Sequence, residues 1–132
     1  MTTLAQGANL IKQALLDADW PSPSPTIGLQ NERTGREPEF VELEINYEGS
    51  SQDTQGAVRR YKRWGVVQVR ILTPRNIGTS RADALGDAVM AAMEGTNAGG
   101  VVFRAAMPGY GGGWKNWYLL EIEAAFEYFH HK

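Results

Sequence analysis

The sequence predicts an α+β domain: a four-stranded, mainly antiparallel sheet with two helices packed on one face, in the order α-β-β-α-β-β. Three observations carry that expectation. Apolar residues recur at helical spacing in two segments, they alternate in four others, and the alternating segments come in adjacent pairs. Neighbouring strands joined by polar turns run antiparallel, and two helices suffice to cover one face of four strands. At 132 residues the chain reads as one domain, 1–132, able to bury roughly two-thirds of its unfolded surface.

The first helix runs from Thr3 to about Asp19, where Leu4, Ala8, Ile11, Leu15 and Ala18 share a face, and it ends at Trp20-Pro21. Three prolines then stiffen Pro21-Ser-Pro-Ser-Pro25 into an extended connector. There is room for a very short strand, Thr26 to Gln30, outside the main four, and Asn31 to Pro38 reads as a loop. Val41, Leu43, Ile45 and Tyr47 alternate with Glu42, Glu44 and Asn46, which is the pattern of a half-buried strand. A polar turn, Glu48 to Gly56, leads into a long strand from Val58 to Leu72, with Val67, Val69 and Ile71 on one face. Aligning the two apolar faces sets Glu42 near Lys62 and Glu44 near Arg60, a register that pairs opposite charges.

That strand breaks at Thr73-Pro74, because proline has no N–H for the ladder. Gly78 permits a positive φ, and Ser80 with Asp83 fits a capping box for the second helix. The helix carries Ala82, Leu85, Val89, Ala92 and Met93 toward the core and stops at Gly95. Val67, Val69 and Ile71 are expected to pack on Leu85 and Val89. Val101 to Met107 forms a strand, Pro108 to Gly113 a glycine-rich turn, and Trp114 to Phe129 the last strand. In that strand Tyr118, Leu120, Ile122, Ala124, Phe126 and Tyr128 alternate with Glu121, Glu123 and Glu127.

Composition narrows the function. The formal net charge of −2 gives no sign of a protein held by phosphate contacts. The chain has no cysteine, which removes disulfides, thiolate catalysis and cysteine-type zinc sites and suits a reducing cytoplasm. Met1 to Gln6 resembles no signal peptide, and no segment is long and apolar enough for a membrane span, so a cytosolic site of synthesis and assembly is expected.

Each candidate residue has a structural explanation beside a functional one. Gly109-Tyr-Gly-Gly-Gly113 lacks the following helix that a phosphate cradle needs, so it reads as a hairpin tip. Arg59, Arg60, Lys62 and Arg63, with Tyr61 and Trp64 for stacking, could grip nucleic acid, but alternation splits them between two faces. A protein interface suits them better. Glu121, Glu123 and Glu127 are spaced like hydrolytic acids, yet nothing builds the apolar pocket that would separate their pKa values, so a solvated acidic face is expected. His130 and His131 are adjacent at the C-terminus with no partner ligand, and read as a frayed tail. With no internal histidine and no cysteine, the chain is expected not to be an enzyme and to need no catalytic residue, metal or cofactor. Trp20, Trp64, Trp114 and Trp117 divide between core packing and interface anchoring.

The stretch Gly65-Val-Val-Gln-Val-Arg-Ile-Leu-Thr-Pro-Arg-Asn-Ile-Gly78, followed by the helix carrying Leu85 and Val89, resembles the tail-terminator proteins of long-tailed bacteriophages, the lambda-type minor tail protein U-like family. Chain length and order of elements match that family as well, whereas the run 109–113 has no counterpart in it. The resemblance implies a structural virion protein: a ring of six copies at the head-proximal end of the tail tube. The ring would stop tube polymerisation, dock the head-tail connector or neck protein, and let DNA pass without sequence-specific binding. It implies that Arg59, Arg60, Tyr61, Lys62, Arg63, Trp64, Arg75, Tyr110 and Trp114 touch neighbouring subunits or tube protein. Glu121, Glu123 and Glu127 would line the channel. The alternatives are a neck or head-completion protein of the same virion and, in a different class, a small cytosolic nucleic-acid-binding module.

Overall fold

The computed structural model describes residues 3–29, 39–52, 60–115 and 117–131. Helix α1 spans Leu4–Leu16, shorter at its C-terminal end than its apolar spacing predicts. Its start is fixed by a capping box: Thr3 Oγ1 accepts from the Gln6 amide at 3.1 Å, and the Thr3 amide donates to Gln6 Oε1 at 3.0 Å. Beyond its end, the Trp20 indole donates to the Leu15 carbonyl at 3.1 Å.

The strands are β1 (Thr26–Gly28), β2 (Phe40–Gln52), β3 (Arg60–Pro74), β4 (Asn97–Ala98), β5 (Val101–Trp114) and β6 (Trp117–His131), with helix α2 (Ser80–Met93) between β3 and β4. They form one six-stranded sheet in the order β1-β2-β3-β6-β5-β4. The expected four-stranded, mainly antiparallel sheet with the order α-β-β-α-β-β is therefore wrong. A third strand precedes α2, a two-residue strand follows it, and β1 lies parallel to β2, which makes the sheet mixed. β1 falls within the short strand foreseen at 26–30 but joins the sheet, which the four-stranded expectation did not include, and the two-residue β4 is too short to display alternation.

Three local expectations also change. The β2–β3 register sets Glu42 against Arg70 and Glu44 against Gln68, not against Lys62 and Arg60. The true register is eight residues away, an even slide that leaves every side chain on its face, so the apolar pattern could not distinguish the two. The N-cap of α2 is Thr79, with φ −108° and ψ −6° and no side-chain hydrogen bond, so Ser80 and Asp83 make no capping box. Asp83 still occupies the first turn, where the helix dipole favours a carboxylate.

Residues 108–113 are strand rather than turn. Gly111, Gly112 and Gly113 pair with Leu120, Leu119 and Tyr118, and the reversal comes later, at Lys115, with Trp114 opposite Trp117. These glycines leave room for side chains that cross the strand. A Cβ would lie 3.1 Å from the Tyr118 hydroxyl at Gly111, 2.9 Å from the Tyr110 hydroxyl at Gly112, and 2.6 Å from Arg75 Nη2 at Gly113. At the end of α2, Gly95 takes φ 66° as expected, and its amide donates to the Arg104 carbonyl at 2.9 Å.

One face of the sheet is covered. Ile11 and Leu15 of α1 and Ala82, Leu85, Val89 and Met93 of α2 join a single core with Val41, Leu43, Ile45, Val67, Val69, Ile71, Val101, Phe103, Ile122, Phe126 and Tyr128. The expected packing of Val67, Val69 and Ile71 with Leu85 and Val89 lies at its centre. Tyr128 is fully buried beneath α1, where Gly7 lets the helix approach: a Cβ there would sit 2.9 Å from Tyr128 Cε1.

Candidate functional site on the helix-free face

The opposite face follows from alternation and register. Across β2, β3 and β6 its rows are Phe40, Leu72 and Leu119, then Glu42, Arg70 and Glu121, then Glu44, Gln68 and Glu123, then Asn46, Val66 and Ala125. Beyond these, Trp64 lies opposite Glu127, Lys62 opposite Phe129, and Arg60 opposite His131. The first row is a small apolar cluster, closed by Trp117 standing edge-on to Phe40 at 5.4 Å between ring centres.

The middle rows are acidic and polar. Arg70 Nη1 donates to Glu44 Oε2 at 2.9 Å, and its Nε lies 3.5 Å from Glu42 Oε2. Burial pushes the Arg70 guanidinium down, but the hydrogen bonds and charges of Glu44 and Glu42 outweigh it and hold the group above its ordinary value. Asn46 Nδ2 donates to Gln68 Oε1 at 3.2 Å, and Gln68 Nε2 to Glu123 Oε1 at 3.3 Å. Arg70 is thus the cation among four carboxylates, those of Glu42, Glu44, Glu121 and Glu123. It stands where Lys62 and Arg60 were expected.

Glu127 behaves differently from its two neighbours. Its side chain is only 13% exposed, Lys62 Nζ lies 2.8 Å from Oε2, and Arg104 Nη2 contacts Oε1. Hydrogen bonds from Lys62 and then Arg104 hold its carboxyl below the ordinary value against the opposing effect of burial. The expectation of a solvated carboxylate fails here, because β3 and β5 flank β6 and each places a cation beside residue 127. Around this triad is a hollow of about 350 Å³ lined by Lys62, Trp64, Arg104, Glu127, Glu48 and Ser51, among others. The Trp64 indole covers Gly49, where a Cβ would lie 2.2 Å from the ring.

The remaining predicted contact residues are dispersed. Arg60, Lys62 and Trp64 share the helix-free face, and the Arg60 guanidinium lies 4.4 Å from the centre of the Phe129 ring. Tyr61 and Arg63 alternate onto the other side, Arg63 lining a second hollow with Leu4 and Tyr47. Burial, and after it Tyr128, pushes the Tyr47 hydroxyl in that hollow up to about 12. Arg75 lies after β3 against Gly113, Tyr110 opposite Glu121 on β5, and Trp114 at the end of β5. Arg59 lies outside the described residues. The backbone of 130 and 131 is not frayed but paired with Tyr61 and Arg60. Arg104 escaped sequence reasoning, since its partner is 23 residues away and nothing local marks it.

Among the described residues no group of three His, Asp or Glu could hold a metal ion, and no helix is long and apolar enough to cross a membrane. No protein-family model matches the chain, and no curated protein does. A solved protein whose name carries no functional term matches with a TM-score of 0.63 at 18% identity, covering 91% of this chain and 94% of that one. A likeness at that identity establishes a shared fold and nothing about activity.

Proposed function

We propose that this chain is a structural virion protein, not an enzyme, that forms a ring on the head-proximal end of a phage tail tube. There the ring ends tube polymerisation and presents a docking surface to the head-tail connector or neck protein. The observation that carries this reading is the helix-free face. It is broad, and its centre sets four carboxylates around Arg70. That acidic centre repels a phosphate backbone, which is what a wall past which DNA slides requires, while Arg60, Lys62 and Arg104 lie toward one end of the face. Of its acids, Glu42, Glu44 and Glu127 are ion-paired and Glu121 and Glu123 are partly exposed, and the Glu127 carboxyl is held below its ordinary value rather than raised toward a proton-transfer role. The sequence resemblance to tail terminators supplies the assembly; the face supplies the physical means. Assembly takes place in the host cytoplasm, and the mature location is the tail.

The test is complementation of a phage that lacks its terminator. Tails of normal length carrying this protein at the head-proximal end are expected. Binding to isolated heads but not to tails would replace this reading with a neck protein. A salt-dependent shift of DNA by the isolated chain at physiological ionic strength would replace it with a nucleic-acid-binding module.

A further inference from the structure

Among the described residues, the sheet ends in two uncovered edges at diagonally opposite corners. Among the described residues, β1 pairs only with Phe40, Val41 and Glu42 of β2, which leaves residues 46–51 at the far end of β2 without an outer strand. On the other side β4 pairs only with Val101 and Val102 of β5, with further backbone bonds from Phe103 to Thr96 and from Gly95 to Arg104. Beyond these, β5 continues to Trp114 with no outer strand among the described residues and no charged residue from 105 to 114. Lone edges are normally guarded by charge, proline or bulges. Pro108 and the bulge at Gly109 guard the upper part of this one, while 110–114 has no such guard.

We infer that a second copy of this chain seats its 110–114 edge antiparallel along residues 46–51 of the first, joining the sheets into a staggered barrel with the helix-free face inward. Direction permits it: β2 and β3, β3 and β6, and β6 and β5 are each antiparallel, so β2 and β5 point in opposite senses. The stagger fits as well. Gly49 stands opposite Trp64 and through it Glu127, whereas Tyr110 stands opposite Glu121. Those two points lie six residues apart on β6, about 20 Å at the usual rise of a strand. Four strands per copy span about 19 Å at the usual strand spacing. A pure rotation that shifts the strands by about 20 Å over about 19 Å of width needs a strand tilt near 45°, at the upper end of the range for closed barrels.

The helices form a second layer about 10 Å deep, and that thicker side belongs on the longer, outer circumference. Short β1 and β4 then act as stops that fill the two remaining corners. The contact is heterologous, so it builds a ring where its rotation closes, and not a two-fold dimer. This inference rests on the ring proposed above, but it is tested separately.

The chain has no cysteine, so engineered thiols report contacts directly. Ser51 and Tyr110 both lie on the helix-free face and are exposed. Because Tyr110 meets Gly49 in that stagger, Ser51 and Tyr110 are diagonal neighbours about 7–8 Å apart, so the Ser51→Cys/Tyr110→Cys double variant, treated with a short bifunctional thiol cross-linker, is expected to give a ladder of covalent oligomers. Either single variant alone is expected to stay monomeric on a denaturing gel, while a mixture of the two singles gives dimers. Dimers from a single variant would show an isologous contact and overturn the inference, as would an oligomer of the double variant that fails to cross-link. Wild-type amide exchange needs no variant to fold: on assembly, residues 46–51 and 110–113 should slow by at least about tenfold, as newly bonded backbone does. Unchanged exchange in an assembled ring, or a chain monomeric at every concentration, overturns the inference. Cross-linking without tube capping would leave the edge contact standing and remove the proposed function; capping by a ring that does not cross-link would do the reverse.

Discussion

Lys62 Nζ lies 2.8 Å from Glu127 Oε2 while Arg104 holds the other oxygen of the same carboxylate, so one side chain ties β3, β5 and β6 together on the helix-free face. Because its carboxyl is held below the ordinary value of 4.5, the ionised form is favoured in the folded state. Its stabilising contribution is therefore complete above that value and is lost as pH falls through the depressed one. Glu127→Gln should cost about 1 kcal/mol at neutral pH, within the range of partly exposed ion pairs, and the difference from wild type should vanish in acid. Thermal melts from pH 7 to pH 3 measure it. A gap that persists at the lowest pH would mean that packing, not charge, is lost.

Glu121→Gln with Glu123→Gln should behave otherwise. Among the described residues neither acid has a cation within ion-pair distance, and Glu123 accepts from neutral Gln68 at 3.3 Å. The double variant should stay within about 0.5 kcal/mol of wild type by denaturant melt. A larger loss would show that the middle rows of the face are coupled.

Much of this fold is legible in the sequence. The faces of β2, β3 and β6, the core around Val69 and Leu85, and the stop at Gly95 all follow from period and from glycine chemistry. What is not legible has physical reasons. β4 is too short to show a period, nothing local to β1 marks its parallel pairing with β2, and the β2–β3 register is degenerate under even slides. The glycines at 111–113 signal a turn locally, yet they serve as room for Tyr118, Tyr110 and Arg75. The site is less legible than the fold: Glu121, Glu123 and Glu127 look alike along the chain, and only the cross-strand neighbours, Arg104 above all, set Glu127 apart.

Val69 is fully buried between the sheet and α2. Val69→Asp would place an unpaired charge there and cost several kcal/mol, about the whole stability of a small domain. Circular dichroism should show an unfolded chain. A folded variant would mean that the core admits water at this point.

Gly7→Ala sets two effects against each other. Alanine gains about 1 kcal/mol of helix propensity over glycine. The new methyl, however, meets Tyr128 Cε1 at 2.9 Å, and that ring is fully buried with no room to retreat. Overpacking costs about 1–3 kcal/mol, so a net loss of about 1 kcal/mol is expected in a denaturant melt. A gain in stability would show that α1 can lift from the sheet.

Trp64 is half-buried on the helix-free face, with its indole over Gly49. Trp64→Ala should leave the monomer folded at a cost of about 1–2 kcal/mol for the surface it uncovers, and yet abolish ring formation or tube capping. Circular dichroism and sedimentation separate the two effects. An unfolded monomer would make Trp64 core; a folded variant that gives tails of normal length would remove its interface role.

Copies of this chain are proposed to close into a ring around a DNA-sized opening walled by the helix-free face. Electron cryomicroscopy of the purified protein mixed with phage tail tubes would show that ring. The predicted result is a ring seated on one end of each tube, with Glu42, Glu44, Glu121 and Glu123 facing the opening and the helices outside. Bare tubes beside a monodisperse monomer, or a ring with its helices turned inward, would contradict it.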